Sequence, residues 1–165
     1  MRVRIVVAVA LSITLGISLT ACGAGNNAAT RQIKQVTDGV DGSITSYGSD
    51  LKVSSILLVA QSDGSAVLVG SIVNNSSKED ALLGVAAGGI TAKLSEKFLT
   101  LAPDVPRRFS GDSSNASAVI PGLNAAAGTR VKLHMFFGNA GALTLDVLVL
   151  ERSGVYAGVS APGSN

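Results

Sequence analysis

Apolar and polar positions alternate with period two along the last third of the chain. In "VKLHMFF" the residues Val131, Leu133, Met135 and Phe137 alternate with Lys132, His134 and Phe136. In "LTLDVLV" Leu143, Leu145, Val147 and Val149 alternate with Thr144, Asp146 and Leu148. Successive side chains of a strand point to opposite faces, so each first set is expected on one buried face. Asn139-Ala140-Gly141 between the two runs suits a three-residue hairpin loop with Gly141 in the left-handed conformation. Pairing Gly138 with Ala142 then predicts Met135 opposite Leu145 and His134 opposite Asp146.

Upstream, "LKVSSILLVA" (Leu51 to Ala60) and "SAVLVGSIVNN" flank Asp63-Gly64, a hairpin signal because both turn residues tolerate positive φ. Both runs are apolar on each face near their middles, which predicts interior strands. "ALLGVAA", "ITAKL", "RRFS" and "SAVIP" read as shorter strands separated by turn residues. No internal repeat and no long amphipathic helix is visible. Several short strands with regular turns predict an all-β sandwich of immunoglobulin-like type over residues 51–151. Residues 22–50 are polar and rich in Gly, Asn, Ser and Thr, the composition of a flexible tether, and residues 152–165 read as a flexible C-terminal tail.

The chain opens with "MRVR", then runs without a charge from Ile5 to Leu19, 15 residues. A spanning helix needs about 20 apolar residues. A basic tip, a short apolar core and small residues before a cut site instead describe a secretory signal over residues 1–21. Leu19-Thr20-Ala21-Cys22 matches a lipobox, in which Cys22 becomes a thioether to diacylglycerol and the first residue of the mature chain. Each buried CH₂ contributes about 0.8 kcal/mol, so two or more acyl chains give a stable anchor on the extracytoplasmic face of the cell membrane. Cys22 is the only cysteine of the sequence, which leaves no thiol for a disulfide or a metal site.

Cleavage before Cys22 leaves 144 residues, a single-domain length, and removes Arg2 and Arg4. The 13 basic residues become 11, against 11 acidic ones. A neutral mature chain without a basic stripe gives no support to nucleic-acid binding.

"GTRVKLHMFFGNAGALTLDVLV" resembles the closing hairpin of the PCuAC-type periplasmic copper chaperones, through Gly128, Val131, Leu133, Met135, Phe137, Ala140 and Gly141. "NSSKEDALLGV" resembles the same family's Asn…Asp-x-Leu turn and strand. With the lipobox and "RQIKQV", the chain looks most similar to the LpqE-type lipoproteins of actinobacteria, a lipid-anchored branch of that fold. The resemblance implies a cupredoxin-like Greek-key sandwich, and it raises the question of copper. The family binds Cu(I) with a mid-chain His and Met and a later His-x-Met, soft ligands suited to this ion. Aligned on Gly122-Leu123, the His-x-Met positions hold Ser117 and Val119, the mid-chain His falls near Lys93, and "KFLTLAP" offers no Met. The mature chain contains one His and one Met, His134 and Met135, and neighbours on a strand face opposite ways. No tightly bound metal and no cofactor is expected.

Further constellations point to structure more than to chemistry. His134 and Asp146 would form a cross-strand polar pair on an open face, whereas a catalytic triad needs three groups converging in a pocket. No G-x-S-x-G, P-loop or Rossmann glycine pattern is present, and no catalytic residue is assigned. Arg107-Arg108 is a candidate grip for an anionic headgroup or partner. "GVAAGGITA" is expected to mark a bulge or close sheet packing, and the Asn-x-Ser sequons at Asn74, Asn75 and Asn115 carry no weight in a bacterial chain. Three readings follow. The first is a non-catalytic binding or envelope-structural module, with an envelope protein as candidate partner; the second is a metal-homeostasis accessory; the third, disfavoured by the inventory, is a hydrolase. The lipobox generates the first test. Cys22→Ser should abolish acyl labelling and normal processing, and a mutant labelled and membrane-retained like the parent would refute lipidation.

Overall fold

The computed structural model describes residues 38–46 and 48–161. Cys22, the leader and Arg31 to Val36 lie outside the described residues. The described chain is all-β, with eleven strands: β1 (Val40–Ile44), β2 (Leu51–Ala60), β3 (Ala66–Asn74), β4 (Asp80–Ala87), β5 (Ile90–Thr91), β6 (Lys93–Leu94), β7 (Leu99–Leu101), β8 (Arg107–Arg108), β9 (Ala118–Ile120), β10 (Arg130–Phe137) and β11 (Ala142–Glu151). Neighbours run β5-β4-β10-β11-β2-β3-β9-β6, with β1 on β2, β7 on β4 and β8 on β3. All pairs are antiparallel except β11 with β2, where Val149–Glu151 runs parallel to Leu58–Ala60. The result is a nearly closed, barrel-like sandwich, the predicted fold class.

Its core is made by the inward residues of the long strands: Leu51, Val53, Ile56 and Leu58 of β2, Leu68 and Ile72 of β3, Leu133 and Met135 of β10, and Val147 and Val149 of β11, all at most 1% exposed. The inward set of β2 changes from odd to even numbers at a bulge, because Ser54 pairs with Ser71 and Leu57 with Val69. One extra residue on one strand reverses the alternation beyond it. Ser55 sits there at φ 56, with its N–H donated to Asp41 Oδ1 at 2.7 Å. Gly70 faces the bulge at φ 128, where a Cβ would lie 2.8 Å from the Ser54 carbonyl oxygen. A second bulge leaves Leu83 unopposed between Leu82, paired with Phe137, and Gly84, paired with Phe136.

Three expectations are corrected. The sheet begins within the stretch read as tether: Val40–Ile44 pairs with β2, and Val40 and Ile44 pack against the core. Its small residues hid it, since Gly42 is the one that fits beneath Leu143 and Leu145. The tail is not loose either. Gly154–Tyr156 forms a 3-10 turn, and Tyr156 and Val159 pack on Leu57, Val59 and Val69, the outer face of β2 and β3. In the Asp63-Gly64 turn only Gly64 has positive φ; Asp63 instead accepts hydrogen bonds from the Ser65 hydroxyl (2.6 Å) and N–H (2.9 Å).

The closing hairpin also pairs two residues away from the predicted register. Met135 faces Leu143, Leu133 faces Leu145, His134 faces Thr144 and Lys132 faces Asp146. The ladder stops at Phe136–Ala142, and the Phe137 N–H donates to the Gly141 carbonyl across a longer loop. Asp80 is the cause. Its carboxylate, 5% exposed, accepts from the backbone N–H groups of Asn139 (2.8 Å), Ala140 (3.0 Å) and Ala81 (2.7 Å), pinning the loop to the start of β4. Buried Asn74 ties the preceding turn: its amide donates to the Lys78 and Leu101 carbonyls, and its oxygen accepts from the Ser76 N–H and hydroxyl.

These contacts rank three substitutions. Asp80→Ala strands buried N–H groups and should cost about 3 kcal/mol. Gly141→Val should cost ~1–2 kcal/mol, because Gly141 holds φ 89 although its Cβ direction is open. Asp146→Asn, on an exposed face, should cost less than about 1 kcal/mol. Denaturant melts of the three variants check the order.

Candidate functional site

Three of the four positions that the family resemblance assigns to copper ligands converge; residues 97–103, the stretch that would carry the mid-chain Met, do not line the same cleft. β6 and β9 are antiparallel neighbours with Lys93 opposite Val119 and Leu94 opposite Ala118. Ser117 and Val119, two residues apart, share the outward side of β9, while Ala116, Ala118 and Ile120 are buried between them. The pairing is secured beyond the strands: the Ser95 N–H donates to the Ser117 carbonyl at 3.0 Å, and the Ser117 N–H to the Ser95 hydroxyl at 3.2 Å. Lys93, Ser117 and Val119 therefore line one cleft of about 330 Å³, together with Asp63, Ser65, Pro121 and Ala161 among others.

The donors in that cleft are an ammonium, hydroxyls and one carboxylate. None is the imidazole or thioether that Cu(I) prefers, and a fixed cation opposes a second one. Asp63 is already engaged: hydrogen bonds from the Ser65 hydroxyl and then the Ser65 N–H hold its carboxyl below the usual range. Among the described residues no group of three or more His, Cys, Asp or Glu side chains is placed to hold a metal ion.

The remaining candidates are dispersed. His134 lies on the outer face of β10, where Nδ1 is 3.0 Å from the Thr144 hydroxyl, and the expected pairing with Asp146 is absent because the register differs. Met135 points into the core on the opposite face, as alternation required. Arg107 is a structural tie: Nε donates to the Thr100 carbonyl at 2.8 Å, Nη1 to the Asn115 carbonyl at 3.4 Å, and Glu96 stands 3.8 Å away. Arg108 is exposed, with its N–H held by the Asn115 side chain. Of the stretch expected to mark a bulge or close sheet packing, Gly84 borders the bulge at Leu83, and Gly88 and Gly89, both at positive φ, form the tight turn between β4 and β5.

Sequence reasoning missed a larger cleft of the domain. Residues 155–160 cross the outer face of β3 and face the turn after β8, enclosing about 570 Å³ lined by Val67, Phe109, Ala116, Tyr156 and Val159 among others. The available signal was the two-faced apolarity of β2 and β3, which requires a cover on each side. The Tyr156 hydroxyl donates to Asp38 Oδ2 at 3.3 Å, joining the two ends of the described chain.

No family model matches the chain, and no curated protein does so significantly. Solved structures do match. The copper-bound PCuAC domain from PmoF2 superimposes with a TM-score of 0.57 at 18% identity, covering 67% of this chain and 97% of that one. The apo PCuAC domain from PmoF1 gives 0.54 at 19% identity, covering 66% and 97%. At such identity the likeness establishes a shared β fold.

The Tyr156 contact generates a pH prediction. Burial first, and the Asp38 carboxylate second, raise its phenol above the ordinary value of 10.0. The neutral form is favoured in the fold, so its contribution is complete below pH 10 and is lost as pH rises through the raised value. Absorbance titration of the two tyrosines, Tyr47 and Tyr156, should therefore show one ionising late. Asp38→Asn should move that step downward.

Proposed function

We propose that this chain is a lipid-anchored envelope protein, of the kind resembled by the LpqE-type lipoproteins, whose PCuAC-like sandwich is a non-catalytic binding or structural module. Diacylglycerol on Cys22 holds it at the extracytoplasmic face of the cell membrane, where an envelope protein is the candidate partner. The observation that carries this reading is the β6–β9 cleft, in which an ammonium, a hydroxyl and an isopropyl group occupy the three converging positions. A non-catalytic role is supported by the open placement of His134, whose side-chain contact is the Thr144 hydroxyl on the outer sheet face rather than a group in a pocket. The second reading, a metal-homeostasis accessory, is favoured by the match to a copper-bound PCuAC domain.

Competition against a Cu(I) chelator separates the two. The unmodified full chain should not take copper from the chelator, whereas the triple variant Lys93→His, Ser117→His, Val119→Met should gain a site, because the strands already hold these positions together. A stoichiometric, tightly held ion in the unmodified chain would overturn the first reading in favour of the second.

A further inference from the structure

We infer that the outer face where β7, β4 and β10 meet is a docking surface for an anionic lipid bilayer, entered by Leu83, Phe98 and Phe136. Leu83 is 53%, Phe98 48% and Phe136 46% exposed, and two of the four phenylalanines of the sequence stand here in water. The strand pairing makes the three neighbours. Leu82 pairs with Leu99, so the next antiparallel step sets Leu83 beside Phe98. Phe136 pairs with Gly84, and its Cδ2 lies 3.9 Å from where a Cβ on Gly84 would stand. The bulge is what turns Leu83 out: Leu82 and Val85 are the buried residues, which leaves two successive positions, Leu83 and Gly84, between them. The other exposed large apolar residues, Val105 and Val155, lie singly in the β7–β8 connection and in the C-terminal 3-10 turn.

Cations border this patch. Lys93 and Lys97 line one depression with Leu83 and Gly84, and its single carboxylate, Glu96, stands 3.8 Å from Arg107 Nη1. Farther along the same face Lys132 is opposite Asp146, so that pair adds no net charge. Two ammonium groups on long stems can reach anionic headgroups while the apolar side chains go deeper. Area favours a bilayer over a protein. Two half-exposed phenylalanines and a half-exposed leucine offer roughly 300 Å², whereas each side of a stable protein interface buries about 800 Å². Insertion into lipid has no such threshold, because a weak second contact suffices once an acyl anchor holds the domain nearby. Sixteen peptide steps separate Cys22 from Asp38, a reach of at most roughly 55 Å at ~3.5 Å per residue. A domain of this size is roughly 35 Å across, so the tether lets this face turn to the membrane. The inference deepens the anchored reading and rests on it for the proximity of the bilayer.

The test uses the mature chain, Cys22 to Asn165, with the Cys22 thiol coupled chemically to a maleimide phospholipid in vesicles, so that the tether exists whether or not cells acylate it. The sequence contains no tryptophan, so Phe136→Trp and Phe98→Trp each report one position. In vesicles of equal parts phosphatidylcholine and phosphatidylglycerol with brominated chains, each variant should lose at least about half of its emission. The emission of Val155→Trp, in the C-terminal turn, should be unchanged. Adding Leu83→Asp, or Lys93→Glu with Lys97→Glu, should abolish most of the quenching, as should brominated phosphatidylcholine alone. No quenching at either phenylalanine position, equal quenching at Val155, or quenching indifferent to both the leucine and the lysine changes would overturn the inference. A blue shift without quenching that grows with the surface density of chains would also overturn it, in favour of contact between copies of this chain. Failure of the anchored reading shows instead as absent acyl labelling of Cys22, which this experiment does not use.

Discussion

Leu57, Val59, Val67 and Val69 stand on the opposite side of β2 and β3 from Ile56, Leu58 and Leu68, so this strand pair has to be covered twice. Burying a side chain of this size contributes roughly 1.5–3 kcal/mol, and leaving either set in water would forfeit several such terms. The inner set is met by β10 and β11. The outer set is met by the chain's own C-terminal segment, through Tyr156 and Val159. From this follows the ordered end of the domain: with that segment in place Leu57, Val59, Val67 and Val69 are all at most 9% exposed. The N-terminal end is drawn in as well, because Asp38 meets the tyrosine that covers that face.

Bulges decide where that two-sidedness begins. Before Ser55, β2 alternates as an ordinary half-buried strand, with Leu51 and Val53 inward and Lys52 exposed. After it, four consecutive residues are buried. The extra residue needs a partner strand that yields space, and Gly70 supplies it by lacking a Cβ where Ser54 and Ser55 approach. The bulge also needs its freed N–H satisfied, which Asp41 of β1 does. β1 is thus held by a polar contact to an irregularity in β2 as much as by its own side chains, and a reading of apolar periodicity had little in Val40–Ile44 to find.

The sequence was legible wherever alternation alone sets the answer. The all-β class, the boundaries of β2, the two late strands and the inward set of the closing hairpin could all be read from period two, because a slip of one residue would expose every core side chain. A slip of two exposes none. That is why the faces were right while the partners were not: Leu133, Met135, Leu145 and Val147 are buried in either register. What separates the registers is Asp80, sixty residues upstream, whose carboxylate gathers the N–H groups of Asn139 and Ala140 and lengthens the loop. Local pattern carries no trace of such a contact.

The candidate site has the complementary character. Its backbone is dictated by the fold, since Lys93 and Val119 must face one another once β6 pairs with β9. Its side chains are not, because they stand on the outward face, clear of the core formed by Ala116, Ala118 and Ile120. Changing an outward residue costs a small fraction of what a core substitution does. A strand pairing can therefore persist while its outward side chains change, and it says little about what those side chains bind. The likeness at 18% identity to a copper-bound domain shows a shared fold alone. Binding chemistry has to be argued from the exposed positions, and here those positions present a fixed cation, hydroxyls and hydrocarbon.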